Sequence, residues 1–187
     1  MTDVRNLKSK VCLVGDIAVG KTSLIDRYVV NSFDDRYLTT LGTKVTKKVL
    51  DVPLPDADVV AHMDMTIWDI MGQQGFRQLL QDAYFFGVRG VLAVADITRR
   101  ITLDDLAGWI ESVEHVAGKV PVLIAINKAD LVGDAEFGAA EIERMAASLH
   151  SEYLMTSAKT GENVEEAFRR LGELVARRQV PAAPVGS

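Results

Sequence analysis

The chain has 187 residues, of which 48% are hydrophobic, and a formal net charge of −5 at pH 7. This length suits one globular domain, which buries about 70% of its unfolded surface and needs neither disulfides nor a structural metal. The acidic balance argues against a nucleic-acid partner, which would favour a basic face. The only cysteine, Cys12, cannot form an internal disulfide, so we expect a reducing compartment and a cytoplasmic protein.

Membrane-targeting signals are not apparent in the sequence. No apolar run approaches the ~20 residues of a membrane span, and the first ten residues contain no signal-peptide core. Thr2 argues against N-myristoylation, and the final residues, Val185 to Ser187, include no cysteine for prenylation. We therefore expect no intrinsic membrane anchor.

Short apolar segments alternate with amphipathic ones, a pattern typical of an α/β fold with a mostly parallel sheet. Six strands are predicted: Lys10–Val14, Thr43–Leu54, Met63–Asp69, Arg89–Asp96, Val120–Asn127 and Glu152–Thr156. The second of these is expected at a sheet edge. Three apolar stripes at helical spacing predict helices packed on the sheet. They are Leu103, Leu106, Ile110 and Val113; Ile142, Met145, Ala146 and Leu149; and Val164, Phe168, Leu171 and Val175.

Capping and turn residues predict where some of these elements begin and end. Thr102 is expected to precede a helix with Asp104 and Asp105 in its first turn, and Asn163 to open the last helix. The segment Pro53–Asp58 is expected to form a long hairpin turn.

The domain organisation is predicted to be simple, with one domain over residues 9–178. A short N-terminal segment, residues 1–8, precedes it. A disordered tail, residues 179–187, is expected to follow because Pro181 and Pro184 lie among small residues there.

A phosphate-binding loop is predicted between the first strand and the first helix. The segment Gly15-Asp16-Ile17-Ala18-Val19-Gly20-Lys21-Thr22 matches G-x-x-x-x-G-K-[ST]. Glycines allow backbone N–H groups to surround a β-phosphate, and the helix start adds the positive end of its dipole. Lys21 would reach the β- and γ-phosphates, and the Thr22 hydroxyl would bind Mg²⁺. An ordinary glycine-rich turn is the alternative, which the strand–loop–helix order makes less favoured.

A guanine-reading loop is predicted after the fifth strand, where Asn127-Lys128-Ala129-Asp130 follows its carboxyl end. A carboxylate there can accept hydrogen bonds from guanine N1–H and the 2-amino group, which adenine lacks on that edge. The tetrapeptide alone is a weak signal, and a polar loop is the alternative. Ser157-Ala158-Lys159 follows the next strand, where its backbone could meet guanine O6.

Five motifs in this order resemble those of the Ras-like small GTPases, nearest to Rab-like and prokaryotic members. They are Gly15–Thr22, Thr40–Gly42, Trp68–Gln73, Asn127–Asp130 and Ser157–Lys159, and the resemblance spans about Ser9 to Arg178. It implies a P-loop NTPase fold of the Ras-like G-domain type, with a six-stranded sheet and helices on both faces. It also implies a molecular switch that binds GTP or GDP with Mg²⁺ and slowly hydrolyses GTP.

The resemblance assigns roles to individual residues. Phe33 would pack against guanine, Asp35 would lie near the ribose, and Tyr37 would close over the phosphates. Thr40 would bind Mg²⁺ and the γ-phosphate only with GTP, and Asp69 would hold Mg²⁺ through a water.

Catalysis is assigned to Gln73, Lys21 and Gly72: the Gln73 amide would orient the attacking water, and the Gly72 N–H would contact the γ-phosphate. The metal ligands would be Thr22, Thr40 and Asp69. The expected nucleotide-binding set is Gly15, Asp16, Ile17, Ala18, Val19, Gly20, Lys21, Thr22, Ser23, Phe33, Asp35, Tyr37, Thr40, Gly72, Asn127, Lys128, Asp130, Ser157, Ala158 and Lys159.

The sequence departs from the family pattern inside the phosphate loop and beside it. Ile17 and Ala18 stand where the family commonly has Gly or Ser and then Gly, and Ile70-Met71 replaces the usual Thr-Ala. Ile17 would either block an arginine supplied by a partner or pack over Met71. Arg36 is a candidate internal substitute for such an arginine.

Other departures bear on origin and on the surface. An insertion before Asp69 is expected to lengthen the hairpin, and the lipid-anchor cysteines of eukaryotic members are missing. Together with the departures in and beside the phosphate loop, these features suggest a prokaryotic, archaeal protein. The adjacent Arg99 and Arg100 are interpreted as solvated, and Trp68 as core packing.

Two other functions compete with that of a hydrolysing switch. A scaffold that binds nucleotide without hydrolysis would keep Lys21 and Asp130 but lose catalysis. An ATP-dependent kinase is disfavoured by Asp130 and by the absence of a lid or substrate segment. Effector, exchange and activating proteins are the expected partners, and the resemblance suggests roadblock-type proteins among them.

Overall fold

A six-stranded sheet lies at the centre of the computed structural model, which describes residues 3–36, 42–73, 75 and 82–180. The strands are β1 Asp3–Val14, β2 Thr43–Leu54, β3 Val59–Ile70, β4 Val88–Asp96, β5 Val122–Asn127 and β6 Glu152–Met155. Their order is β2-β3-β1-β4-β5-β6. Only β2 runs antiparallel to its neighbour among these strands, and it lies at an edge. The predicted six-stranded, mostly parallel sheet is confirmed.

Helices cover both faces of this sheet. The described helices are α1 Lys21–Val30, α2 Arg100–Asp104, α3 Leu106–Ala117, α4 Ala139–Ser148 and α5 Val164–Gln179, with 3₁₀ turns at Pro55–Ala57 and Ala129–Asp134. Apolar residues of α1 and α5 form one core with the sheet, and those of α2, α3 and α4 form the other. The three predicted apolar stripes lie in these two cores, because each helix turns its stripe towards the sheet.

The parallel strands direct their carboxyl ends to one edge of the sheet. Side chains alternate between the two cores along each strand, so Val11 and Leu13 enter one core while Cys12 and Val14 enter the other. Because both faces are covered there, residues 11–14 of β1, 91–95 of β4 and 123–126 of β5 are all apolar and buried. The loops after β1, β3, β4, β5 and β6 therefore meet at one edge, where ligands bind in such folds.

The insertion lengthens strands rather than a loop. β1 begins at Asp3 instead of Lys10, and it pairs with β3 from Asp3–Val59 onwards. Pro53 lies within β2, where an edge position tolerates its missing N–H, and the turn is reduced to residues 55–58. The predicted long hairpin turn is therefore wrong: the extra residues form a three-stranded ribbon that extends beyond β4.

The end of α5 packs against this ribbon. Gly172 lies beside Leu50 and Met65, and the Arg177 guanidinium is 2.6 Å from Asp56 Oδ2. Gln179 Nε2 donates to Ser9 Oγ at 2.8 Å, and Val180 is buried. These contacts correct both predicted boundaries: residues 3–8 belong to the sheet, and residues 179 and 180 to the fold. The remainder of the predicted tail, residues 181–187, lies outside the described residues.

One predicted helix start is also corrected. Thr102 lies inside α2, which begins at Arg100, and Asp105 separates α2 from α3. The Thr102 hydroxyl donates to the Arg99 carbonyl at 2.7 Å and accepts from the Asp96 N–H at 2.9 Å. It therefore ties α2 to the end of β4. Asn163 does precede α5 as predicted, and its side chain donates to the Met155 carbonyl at 2.8 Å.

Candidate nucleotide-binding site

A cleft of about 480 Å³ opens at the carboxyl ends of the strands. Most residues predicted to bind nucleotide line it, together with the predicted catalytic Gln73. These are Ile17, Ala18, Gly20, Lys21, Thr22, Ser23, Phe33, Asp35, Gly72, Asn127, Lys128, Asp130, Ala158 and Lys159. Gly15, Asp16, Val19, Asp69 and Ser157 stand behind this lining. Tyr37 and Thr40 lie outside the described residues.

Sequence reasoning missed part of the lining. Asp26, Ser32, Asp34 and Leu131 also line the cleft, although no ligand role was assigned to them. Each is close in sequence to a predicted motif or site residue, so proximity was the available signal. The residue types alone gave no signal at these four positions.

The phosphate loop makes a compact turn between β1 and α1. Gly20 has φ 103°, and a Cβ there would lie 2.2 Å from Asn127 Nδ2, so only glycine fits. Ala18 also has a positive φ, 62°, although it carries a Cβ. This left-handed conformation costs a non-glycine residue roughly 1 kcal/mol or more, so neighbouring contacts must hold it.

Lys21 is buried at the floor of the cleft. Its Nζ donates to the carbonyls of Gly15 at 2.7 Å and Asp16 at 2.8 Å. Burial lowers the pKa of Lys21 to about 8, although the Asp69 and Asp16 carboxylates oppose this shift. A polyphosphate would give the ammonium charged partners in place of neutral carbonyls, which favours anion binding at this position.

Two oxygen ligands suitable for Mg²⁺ lie beside Lys21. The Thr22 hydroxyl donates to Asp69 Oδ2, and Asp69 is almost fully buried. Burial raises the pKa of Asp69, whereas the Thr22 hydrogen bond and the Lys21 charge lower it. Asp69 Oδ1 is buried with no hydrogen-bond partner among the described residues. An unpaired carboxylate oxygen beside a hydroxyl fits a magnesium site, since Mg²⁺ prefers oxygen ligands and keeps several waters.

Asn127 joins the loops of the cleft. Its Nδ2 donates to the Val19 carbonyl at 2.9 Å, and its Oδ1 accepts from the Thr156 hydroxyl at 3.2 Å and the Ala158 N–H at 3.3 Å. The side chain is buried and both ends of its amide are engaged. Asn127 thus braces the phosphate loop against the loops after β5 and β6.

Asp130 stands at the cleft with one oxygen held from behind. The Ser157 hydroxyl donates to Asp130 Oδ1 at 2.6 Å and accepts from the Thr160 N–H at 3.1 Å. Arg27 of α1 donates to the carbonyls of Ala158 at 2.8 Å and Lys159 at 2.6 Å. Ser157 therefore orients the carboxylate instead of lining the cleft.

A buried carboxylate, Asp96 at the end of β4, lies behind the phosphate loop. Lys128 Nζ is 2.6 Å from Asp96 Oδ2, and Arg99 Nε donates to the same oxygen at 3.1 Å. Burial opposes ionisation of Asp96, but the Lys128 ammonium and the Thr98 hydrogen bonds outweigh it and lower the pKa of this carboxyl group. Arg99 Nη2 also donates to the Ile17 carbonyl at 2.7 Å. The interpretation of Arg99 as a solvated residue is wrong.

Trp109 of α3 supplies a second support, because its Nε1 donates to Asp16 Oδ1 at 2.9 Å. Trp109 and Arg99 are distant in sequence from the loop they contact, and neither belongs to a motif. The sequence offered only a weak signal, the placement of Asp96 and Arg99 at the carboxyl end of a buried strand.

The segment after β3 closes one side of the cleft. Gly72 packs so tightly on the phosphate loop that a Cβ would lie 2.5 Å from the Asp16 carbonyl carbon and the Ile17 nitrogen. Met71 is buried, whereas Ile17 is 38% exposed and lines the cleft. The bulky Ile17 side chain therefore forms part of the cleft wall at the phosphate loop.

Arg36, the candidate internal arginine, lines the cleft but is engaged by a neighbour. Its Nη2 donates to Asp34 Oδ2 at 2.7 Å. Hydrogen bonds from the Arg36 side chain and from its backbone N–H lower the pKa of Asp34 to about 2. The Arg36 charge is thus already paired within its own loop.

Fold and cleft together define a P-loop nucleotide-binding protein of the guanine-specific kind. The Ras family profile matches residues 10–177. The chain is 35% identical over 177 residues to the Ras-related protein Rab-36 of Mus musculus, a match covering 92% of this chain and 63% of that protein. It is 33% identical over 160 residues to human Ras-related protein Rab-8B, covering 85% and 74%, and 32% identical over 169 residues to Rab-4A of Danio rerio, covering 90% and 76%.

The chain belongs to the Ras family. It is accordingly a small GTPase that binds GTP and GDP with Mg²⁺ and hydrolyses GTP. It spans less than two thirds of the length of Rab-36. Among the described residues, no helix is both long and apolar enough to cross a membrane.

Proposed function

We propose that the chain acts as a GTP-dependent switch in which the cleft residues hold the nucleotide and the segment after β3 detects the γ-phosphate. The close packing of Gly72 on the Asp16–Ile17 peptide carries this proposal. Gln73 follows Gly72 and lines the same cleft. A change at the phosphate end of the cleft would therefore directly alter the contacts of this segment.

At the phosphate end, Lys21 and the loop N–H groups bind the β- and γ-phosphates. The Thr22 hydroxyl and the Asp69 carboxylate supply protein oxygens for Mg²⁺, and Thr40 is expected to join them in the GTP state. Bound Mg²⁺ neutralises charge on the phosphate oxygens. Asp69 Oδ1, which has no hydrogen-bond partner in the described part of the chain, supports this assignment.

At the base end, Asp130 accepts hydrogen bonds from guanine and Phe33 packs beside it. The Ser157 hydroxyl orients the Asp130 carboxylate from behind. This contact supports recognition of guanine by a carboxylate of fixed orientation. Lys128 and Lys159 line the same part of the cleft.

In the hydrolytic step, Gln73 orients the attacking water and the Gly72 N–H contacts the γ-phosphate. Loss of that phosphate removes a contact that holds this segment and the Thr40 loop, so both can rearrange. Family membership implies that effector, exchange and activating proteins use such a change. We further infer roadblock-type partners and a cytoplasmic location.

Single-turnover conversion of bound GTP to GDP tests this function against a scaffold that binds nucleotide without hydrolysis. The parent should convert its GTP, whereas Gln73→Leu should convert it at least roughly tenfold more slowly, since water positioning contributes to this chemistry. GDP dissociation serves as the control and should be similar in both proteins.

Two outcomes would contradict the proposal. No conversion by the parent, with or without cell extract, would favour the scaffold. Equal rates for the parent and Gln73→Leu would mean that another group positions the water.

A further inference from the structure

Arg99 holds one peptide group of the phosphate loop from outside the cleft. Its Nη2 donates to the Ile17 carbonyl at 2.7 Å while its Nε donates to Asp96 Oδ2 at 3.1 Å. The Asp96 side chain is completely buried and is also bound by Thr98, so it is a fixed anchor for the guanidinium. Arg99 therefore bridges the end of β4 and the phosphate loop.

The direction of the Ile17 carbonyl determines the direction of the next N–H. In a planar trans peptide the carbonyl and the N–H point in opposite directions. The carbonyl of the Ile17–Ala18 peptide points to Arg99, which does not line the cleft, whereas Ala18 does. With the carbonyl held outwards, the Ala18 N–H is directed towards the cleft.

This arrangement has to be held because Ala18 is strained. Its φ of 62° is unfavourable for a residue with a Cβ, and such conformations persist only where surrounding contacts over-determine them. Glycine at this position would adopt the same φ without penalty. The bond from Arg99 restrains the peptide immediately before Ala18.

We propose that Arg99 is a positioning residue of the phosphate site, which keeps the Ala18 N–H aimed at a bound phosphate. A hydrogen bond accepted by the carbonyl also polarises the peptide and makes its N–H a stronger donor. The positive charge of Arg99 also adds to the local field that attracts anions. The competing explanation is that Arg99 only neutralises Asp96, a task that Lys128 shares at 2.6 Å.

The test measures GDP dissociation from the full chain with Mg²⁺, and the ³¹P NMR spectrum of bound GDP. In Arg99→Ala, dissociation should accelerate about tenfold, the scale of losing a charge-assisted hydrogen bond, and the β-phosphorus resonance should move. Arg99→Lys keeps the charge but lacks the fork that spans two acceptors, so its rate and resonance should be intermediate.

Arg100→Ala is the matched control. It removes the same charge from the adjacent position, where Arg100 lies 3.8 Å from Asp104 and 3.6 Å from Glu141 on the surface. Its dissociation rate and β-phosphorus resonance should match those of the parent. Thermal unfolding of each variant shows that the comparison is made between folded proteins.

Ala18→Gly distinguishes positioning from charge. Since glycine relieves the strain, Arg99→Ala should accelerate GDP dissociation clearly less in the Ala18→Gly background than in the parent. An equal acceleration of GDP dissociation in both backgrounds would mean that charge alone matters and would overturn the proposal. A parent-like dissociation rate and resonance in Arg99→Lys would do the same. Parent-like GDP dissociation in Arg99→Ala would overturn it as well. Should Arg99→Ala fail to fold, the same comparison made with Arg99→Lys in both backgrounds decides.

Discussion

The phosphate loop and the guanine-reading loop face one cleft but are supported differently. Asp130 is held by Ser157, a residue of another recognisable motif, at 2.6 Å. Ile17 is instead held by Arg99, which belongs to no motif, at 2.7 Å. The base end matches the family pattern, whereas the phosphate end departs from it at Ile17 and Ala18. The loop that departs from the family pattern is thus supported by a residue outside every predicted motif.

Asp130→Asn should give the largest effect at the base end. The amide would present a donor to guanine N1–H or the 2-amino group, so the binding of guanine nucleotides, GDP and GTP alike, should weaken by about 3 kcal/mol, on the order of 100-fold. The same variant should gain affinity for xanthine nucleotides, which have a carbonyl in place of the 2-amino group. Equilibrium binding of GDP and XDP measures both effects.

Asp134→Asn provides the control for Asp130→Asn, because Asp134 ends the 3₁₀ turn that contains Asp130 and does not line the cleft. It should bind GDP like the parent and should not gain XDP. Unchanged GDP affinity in Asp130→Asn would refute the assignment of Asp130 as the guanine acceptor.

Ser157→Ala should give a smaller effect at the same end. It leaves the Asp130 carboxylate in place but removes the hydroxyl that orients it, so GDP affinity should fall by about 1 kcal/mol, roughly fivefold. Ser148→Ala is the matched control, since the Ser148 hydroxyl donates to the Met145 carbonyl on an exposed part of α4. Equal affinities for the two variants would show that Asp130 needs no support from Ser157.

The sequence predicted those parts of the fold that follow from short-range pattern. Apolar strands and helical stripes identified the sheet and both cores, because burial imposes a repeat on each element. The ribbon was missed because its N-terminal strand, with residues such as Asp3 and Lys8, is largely exposed and reads as polar. The start of α2 was missed because Thr102 is a good capping residue, yet it is buried and bonds to Asp96.

The candidate site shows the same division. Most residues that line the cleft were predicted from motifs or from the family resemblance, since a ligand requires fixed residue types at fixed spacing. The supports from Arg99, Trp109 and Arg27 join residues far apart in the chain. Such contacts depend on the packing of α1, α3 and β4, which no local pattern encodes.

Ile17 provides the last test of the difference between the two loops. Its side chain is 38% exposed and lines the cleft, whereas Met71 is buried. If Ile17 mainly packed over Met71, more of its own surface would be covered. A β-branched side chain is stiff, so it cannot easily swing aside for an incoming arginine. We therefore favour the block over simple packing as its main consequence.

Ile17→Gly should change hydrolysis little on its own and more with a partner. Single-turnover hydrolysis of bound GTP should rise by no more than a few-fold without a partner, but by roughly tenfold or more with an activating protein that supplies an arginine, because that charge stabilises the transition state. Ile17→Val keeps the β-branch and serves as the control, with rates near those of the parent in both conditions. Rates that do not change in Ile17→Gly, with or without the partner, would show that Ile17 is no obstacle. The rate of GTP hydrolysis would then be limited by Gln73 or by the segment that carries it.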